Sequence, residues 1–107
     1  KIGRTKISNN MGLAEWILEN NQIKDISPLQ NFHKLYELDL SNNQIEDISP
    51  LENLNGLKVI DLSNNQIKDI TPLMKLENTL NIFLEGNPVM DSYDFNLEKK
   101  KGKDINQ

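Results

Sequence analysis

Apolar positions return along this chain at a fixed interval. The stretch LDLSNNQIEDISPL, from Leu38 to Leu51, recurs as IDLSNNQIKDITPL from Ile60 to Leu73, 22 residues later. One step back reads WILENNQIKDISPL, from Trp16 to Leu29, and one step forward reads IFLEGNPVMD, from Ile82 to Asp91. Within a unit the period switches. Leu38 and Leu40 alternate with Asp39 and Ser41, the pattern of a strand with one buried face. Ile45, Ile48, Leu51, Leu54 and Leu57 then fall on every third residue, which suits a 3₁₀-like or extended arc better than an α-helix. The Ser-Pro and Thr-Pro pairs turn the preceding residue away from helical geometry and argue against a long helix there. Each unit therefore reads as a short strand, an Asn-bearing turn and a 3₁₀-like return limb. One unit cannot bury its apolar edge alone, so the units stack, sharing a continuous core and a parallel sheet.

The columns of this stack are explicit. Trp16, Leu38, Ile60 and Ile82 form one apolar column, and Leu18, Leu40, Leu62 and Leu84 a second. Ile23, Ile45, Ile67 and Val89 form a third, with Ile26/Ile48/Ile70, Leu29/Leu51/Leu73 and Phe32/Leu54/Leu76 along the limb. Leu13, Leu35 and Leu57 are followed by Thr79, with Leu80 beside it. Asn21, Asn43, Asn65 and Asn87 make an unbroken polar column. A buried Asn amide donates and accepts at once and tolerates unusual backbone angles, so these side chains are expected to bridge successive turns. Asp25, Asp47, Asp69 and Asp91 precede the limbs and are expected to cap them through backbone N–H groups. Trp16 reads as a large core residue under the first unit, the alternative being partial exposure at an open N-terminal end where a second copy could dock. His33, beside Phe32, reads as exposed.

Composition narrows the function classes. The chain has 107 residues, a formal net charge of −4, no cysteine and a single histidine. Disulfide staples, thiolate metal sites and cysteine nucleophiles are thereby excluded, and a histidine-based triad is a poor fit. The acidic balance argues against direct nucleic-acid binding and against anionic membranes. No apolar run approaches the ~20 residues that span a bilayer. The 16 Asn against 2 Val, with 27 Leu and Ile, follow from the columns themselves. None of those Asn begins a glycosylation sequon.

The frame Leu35-x-x-Leu38-x-Leu40-x-x-Asn43-x-Ile45, repeated from Leu57 to Ile67, resembles the leucine-rich repeat family. The unit length and the phrase Asn-Gln-Ile-x-Asp-Ile-Ser/Thr-Pro-Leu look like bacterial internalins. The resemblance covers about residues 13–90. It implies an α/β solenoid: a leucine-rich repeat arc with a short parallel β-sheet on the concave face and 3₁₀ or irregular convex limbs. It also implies that the concave face binds another protein. Internalins generally carry a helical cap before the repeats and an immunoglobulin-like module after them. Residues 1–12 are too few for the first, and about 19 residues after Pro88 are too few for the second. The surface-invasion role is therefore not carried over. An internalin-like chain would be secreted or cell-surface, whereas the lack of a signal peptide at Lys1 fits the cytoplasm equally well.

The expected organisation is a single repeat domain over residues 1–98. Within it, 1–12 are a partial repeat in register or an N-terminal edge, 13–87 the repeats, and 88–98 a cap that folds Tyr93, Phe95 and Leu97 over the last unit. Residues 99–107, with their lysine run, read as a solvated tail.

In a parallel strand the residues between core positions point to the opposite face. Three columns then line the concave surface: Glu15, Glu37, Val59 and Asn81; Ile17, Asp39, Asp61 and Phe83; and Glu19, Ser41, Ser63 and Glu85. Ile17, Val59 and Phe83 are apolar where the scaffold needs no apolar residue, and an exposed aromatic flanked by carboxylates fits a binding hot spot. The six carboxylates favour a basic partner. Asp39 and Asp61, equivalent on adjacent strands, could hold a hard cation or do acid/base work, but nothing nearby supplies a nucleophile or an oxyanion donor. The reading is a non-catalytic protein-binding module with no cofactor and no metal site. The alternatives are a small inhibitor or regulatory subunit of an enzyme, for example one with a basic nucleic-acid groove, and a structural homodimer through an open repeat edge.

Overall fold

The computed structural model describes residues 6–10, 13–91 and 104–106, with side chains from residue 14 to 91. Strands β1 (Lys6–Asn10), β2 (Leu13–Ile17), β3 (Leu35–Asp39), β4 (Val59–Asp61), β5 (Asn81–Phe83) and β6 (Asp104–Asn106) form one sheet in chain order. From β2 onward every neighbour is parallel. Each parallel step needs a crossover, and the return limbs supply it. They carry 3₁₀ turns at Ser27–Leu29, Ser49–Leu51 and Pro88–Asp91, and one short α-helical turn, α1 (Thr71–Met74). Proline occupies the first turn at residues 28, 50 and 72, where its missing N–H costs nothing.

The core is the set of columns foreseen from the repeat. Leu35, Leu38, Leu40, Ile45, Ile48, Leu51, Leu54, Leu57, Ile60, Leu62, Ile67 and Leu73 are fully buried. Each such side chain contributes roughly 1.5–3 kcal/mol by leaving water. Burial weakens at the first unit, where Trp16, Leu18, Ile23 and Phe32 only half-bury against the same core.

The Asn column stitches the units together. Asn65 Nδ2 donates to the carbonyls of Leu62 and Ser63 in its own turn and of Leu40 in the previous one, at 2.9, 3.2 and 3.0 Å. Its Oδ1 accepts the Ile45 N–H at 3.0 Å. Asn43 does the same for Leu18, Leu40, Ser41 and Ile23, and Asn87 for Leu62, Leu84, Glu85 and Ile67. The unusual backbone angles fall one residue earlier than the sequence reading placed them. Asn20, Asn42 and Asn64 take φ of 59°, 58° and 58°, and Gly86 takes 75° in the fourth unit. Asn and Gly are the residues that reach this left-handed region at least cost, which explains the Asn-Asn pairs.

At the N-terminal end the sheet takes the edge alternative rather than the partial repeat, and the C-terminal end departs from the sequence reading. A partial repeat at residues 1–12 would join the sheet parallel, but β1 pairs antiparallel with β2, Lys6 opposite Ile17 and Ser8 opposite Glu15. Only two residues separate these strands, too few for a parallel crossover, so a hairpin edge is the available geometry. At the other end, residues 104–106 are not a solvated tail: they pair parallel with β5, Ile105 opposite Ile82. That step is 23 residues, one more than the repeat, so the strand falls out of the register on which the columns were aligned. Of the expected cap, Pro88–Asp91 is the 3₁₀ turn, whereas Tyr93, Phe95 and Leu97 lie outside the described residues.

Candidate functional site

The strand register brings the expected concave residues into rows. Glu15 stands opposite Glu37, Glu37 opposite Val59, and Val59 opposite Asn81. Ile17, Asp39, Asp61 and Phe83 form the second row in the same way. Between the rows run Trp16, Leu38, Ile60 and Ile82, directed into the core, so the two rows share the opposite face. Their eight side chains are all half-buried, and neighbouring strands lie ~4.8 Å apart.

The third column divides. Glu85 is exposed and Glu19 half-exposed, but Ser41 and Ser63 are buried, at 5% and 6% exposure. They are therefore corrected from contact groups to supports. Ser41 donates its hydroxyl to Asp39 Oδ1 at 2.7 Å and its backbone N–H to the same oxygen at 3.0 Å. Ser63 holds Asp61 identically, at 2.6 and 3.0 Å. The hydroxyl and amide occupy one carboxylate oxygen of each Asp and fix its orientation. Glu15, Glu19 and Glu37 each take part in a hydrogen-bonding or electrostatic contact of their own.

Charge and apolar surface are unevenly spread across the sheet, with apolar Ile17 on β2 and the exposed Glu85 just after β5 as exceptions. The carboxylates of β2 and β3 lie toward the first units, with Asp61 in the middle. Val59 and Phe83 lie toward the last, and Leu80 stands at the start of β5 with 62% exposure. Sequence reasoning set Leu80 beside the core column without assigning it to a surface. The signal was present: Thr79 takes the Leu57 position, is buried, and donates its hydroxyl to the Leu57 carbonyl at 3.0 Å, which turns Leu80 outward.

Away from this face, Asp25, Asp47 and Asp69 accept the backbone N–H of Ser27, Ser49 and Thr71, each at 2.9 Å, and close the start of each limb. Backbone and then hydroxyl hydrogen bonds from Ser27 and Ser49 hold Asp25 and Asp47 below the usual carboxylate range. For Asp69 the Thr71 hydroxyl leads and the backbone follows. Trp16 meets Phe32 edge-on, centroids 4.6 Å apart. Its buried Nε1 has no hydrogen-bond partner among the described residues, and the Trp16 side chain borders an apolar cavity of about 210 Å³ with Leu18, Ile23 and Leu40. His33 is exposed, as expected, on the rim of a shallow hollow with Phe32 and Lys34. Among the described residues no group of three or more His, Asp or Glu side chains is placed to hold a metal ion.

Known proteins share this architecture. A family model of leucine-rich repeats in two copies matches residues 17–53, and a single leucine-rich repeat model matches residues 56–76. The crystal structure of an internalin (inlF) from Listeria monocytogenes superimposes with a TM-score of 0.67 at 30% identity, over 70% of this chain and 22% of that one. Internalin C2 (inlC2) from Listeria monocytogenes gives 0.66 at 41% identity, over 66% of this chain and 31% of that one. The chain thus spans under a third of either internalin. A search of curated protein sequences gives no match. Domains of this family are typically non-catalytic modules that bind other proteins. The stacked units, the parallel sheet and these matches place the chain in the leucine-rich repeat family, among its internalin-like members.

Proposed function

We propose that the chain is a protein-binding module that takes a basic partner on its acidic concave face. The observation that carries this reading is the pair Asp39 and Asp61, side by side on β3 and β4 and each oriented by a buried serine. Orienting a charge before the partner arrives removes part of the ordering cost of binding. Phe83 continues the same row, and Val59 adds to the apolar side. A partner that fits presents Lys or Arg over β2–β4 and an apolar side chain over β5. Charge then sets the orientation and the association rate, while Phe83 supplies the buried anchor.

The test is parallel capture from a lysate by the wild-type chain, Asp39→Lys and Phe83→Ala, with circular dichroism on each. A protein retained by the wild type and lost from both folded variants supports the reading. Equal retention by all three contradicts it. An activity assay on the retained protein distinguishes simple binding from inhibition of an enzyme.

A further inference from the structure

We infer that the turn Asn55–Gly56 is a site of spontaneous deamidation, a chemical clock built into the second unit. Of the 16 Asn in the chain, Asn55 is the one followed by Gly; every other is followed by a residue with a side chain. Succinimide formation requires the next amide nitrogen to reach the Asn side chain, and a missing Cβ removes the main steric barrier. Both residues are exposed. They occupy the two middle positions of a turn closed by the Leu57 N–H on the Leu54 carbonyl at 3.1 Å. Among the described residues no hydrogen bond restrains the Gly56 N–H or the Asn55 side-chain amide. The nucleophile and the electrophile are therefore adjacent, wet and unengaged.

The chemistry needs only water. The deprotonated Gly56 nitrogen attacks Asn55 Cγ. The N–Cγ bond forms, the Cγ–Nδ2 bond breaks, and ammonia leaves after taking a proton from solvent. Water then opens the five-membered imide at either carbonyl. The products are an aspartate, or an isoaspartate in which the main chain runs through the former side chain.

The fold does not demand this pair. The equivalent positions are His33–Lys34 one unit earlier and Glu77–Asn78 one unit later. A Cβ at Gly56 would meet the His33 and Leu35 carbonyls at 3.3 and 3.4 Å, a tight but adjustable contact. The isoaspartate product would matter more to the fold. It adds a main-chain atom between Leu54 and Leu57, both fully buried, just before the strand that carries Val59 and Asp61.

Incubation of the full chain at mildly alkaline pH, followed by peptide mass spectrometry, tests the inference. The exposed Asn53 and Asn78 serve as internal comparators. Conversion at Asn55 at least an order of magnitude faster than at either comparator, with isoaspartate among the products, is the expected result. Gly56→Lys should bring the Asn55 rate down to theirs; if that variant fails to fold, the comparator ratio in the wild type alone decides. A wild-type Asn55 rate equal to that of Asn53 or Asn78 would overturn the inference, because the turn would then be holding the amide out of reach.

Discussion

The side-chain oxygen of Asn65 accepts the backbone N–H of Ile45, one unit earlier, at 3.0 Å. With the amide of the same side chain bonded to three carbonyls, one residue satisfies four buried backbone groups across two units. Asn65→Ala leaves the buried Ile45 N–H without its partner and takes one of two donors from each of the Leu40, Leu62 and Ser63 carbonyls, so stability should fall by about 1–3 kcal/mol. Asn21→Ala, in the half-buried first unit, should cost visibly less. Urea unfolding midpoints of the two variants check the order.

A second prediction concerns the residue before that column. Gly86 has φ of 75°, and a Cβ there would run into the Asn64 side-chain oxygen and lie 3.2 Å from Asn64 Cα. Gly86→Ala therefore combines left-handed strain with a collision between successive turns, and a loss of about 1–3 kcal/mol is expected. Asn42→Gly keeps the conformation accessible and should change stability by less than about 1 kcal/mol. Thermal melts of both variants separate these outcomes.

Acid should loosen the limbs. Asp25, Asp47 and Asp69 lie below their ordinary value of 3.8 because Ser27, Ser49 and Thr71 donate to the ionised form. A carboxylate whose pKa is lower folded than unfolded contributes stability above the unfolded value, and that contribution is lost as pH falls through the folded one. The melting temperature should therefore be flat from neutral pH to about 5 and decline below about 4. In the triple variant Asp25→Asn, Asp47→Asn, Asp69→Asn, the amide oxygen still accepts the N–H but does not titrate. Its decline should be shallower, and a decline as steep as the wild type's would assign acid sensitivity to other groups.

Much of this architecture was legible because each unit repeats the same physical problem. Leu38, Leu40 and Ile45 must be buried in every copy, so identity at a fixed step reveals the core without any structure. The ends were harder for the same reason. Residues 6–10 pair as a hairpin and residues 104–106 pair after a 23-residue step, so neither obeys the period that made the rest readable. The site was legible as rows but not as chemistry. Alternation along a strand places Asp39 and Ser41 on one face; it does not tell that the serine turns under and donates to the carboxylate. That contact depends on the backbone bend after the strand, which periodicity does not encode.

The serine supports separate binding from folding. Ser63→Ala removes one hydroxyl donor from Asp61 and should cost about 1 kcal/mol of stability. It also frees the carboxylate to rotate, so capture of the basic partner should weaken although the net charge is unchanged. Asp61→Asn keeps an acceptor for Ser63 but removes the charge, and its capture should weaken more, most clearly at low salt. Retention compared at two ionic strengths tests both.

Site-specific photo-crosslinking shows whether partners meet the concave face. A photoreactive residue is placed at Phe83 on that face or at Lys75 on the convex limb, where Lys75 Nζ bonds Glu52 at 3.1 Å. The protein retained by the wild-type chain should crosslink to position 83 and not to position 75. Crosslinking from position 75 with none from position 83 would contradict binding at the concave face.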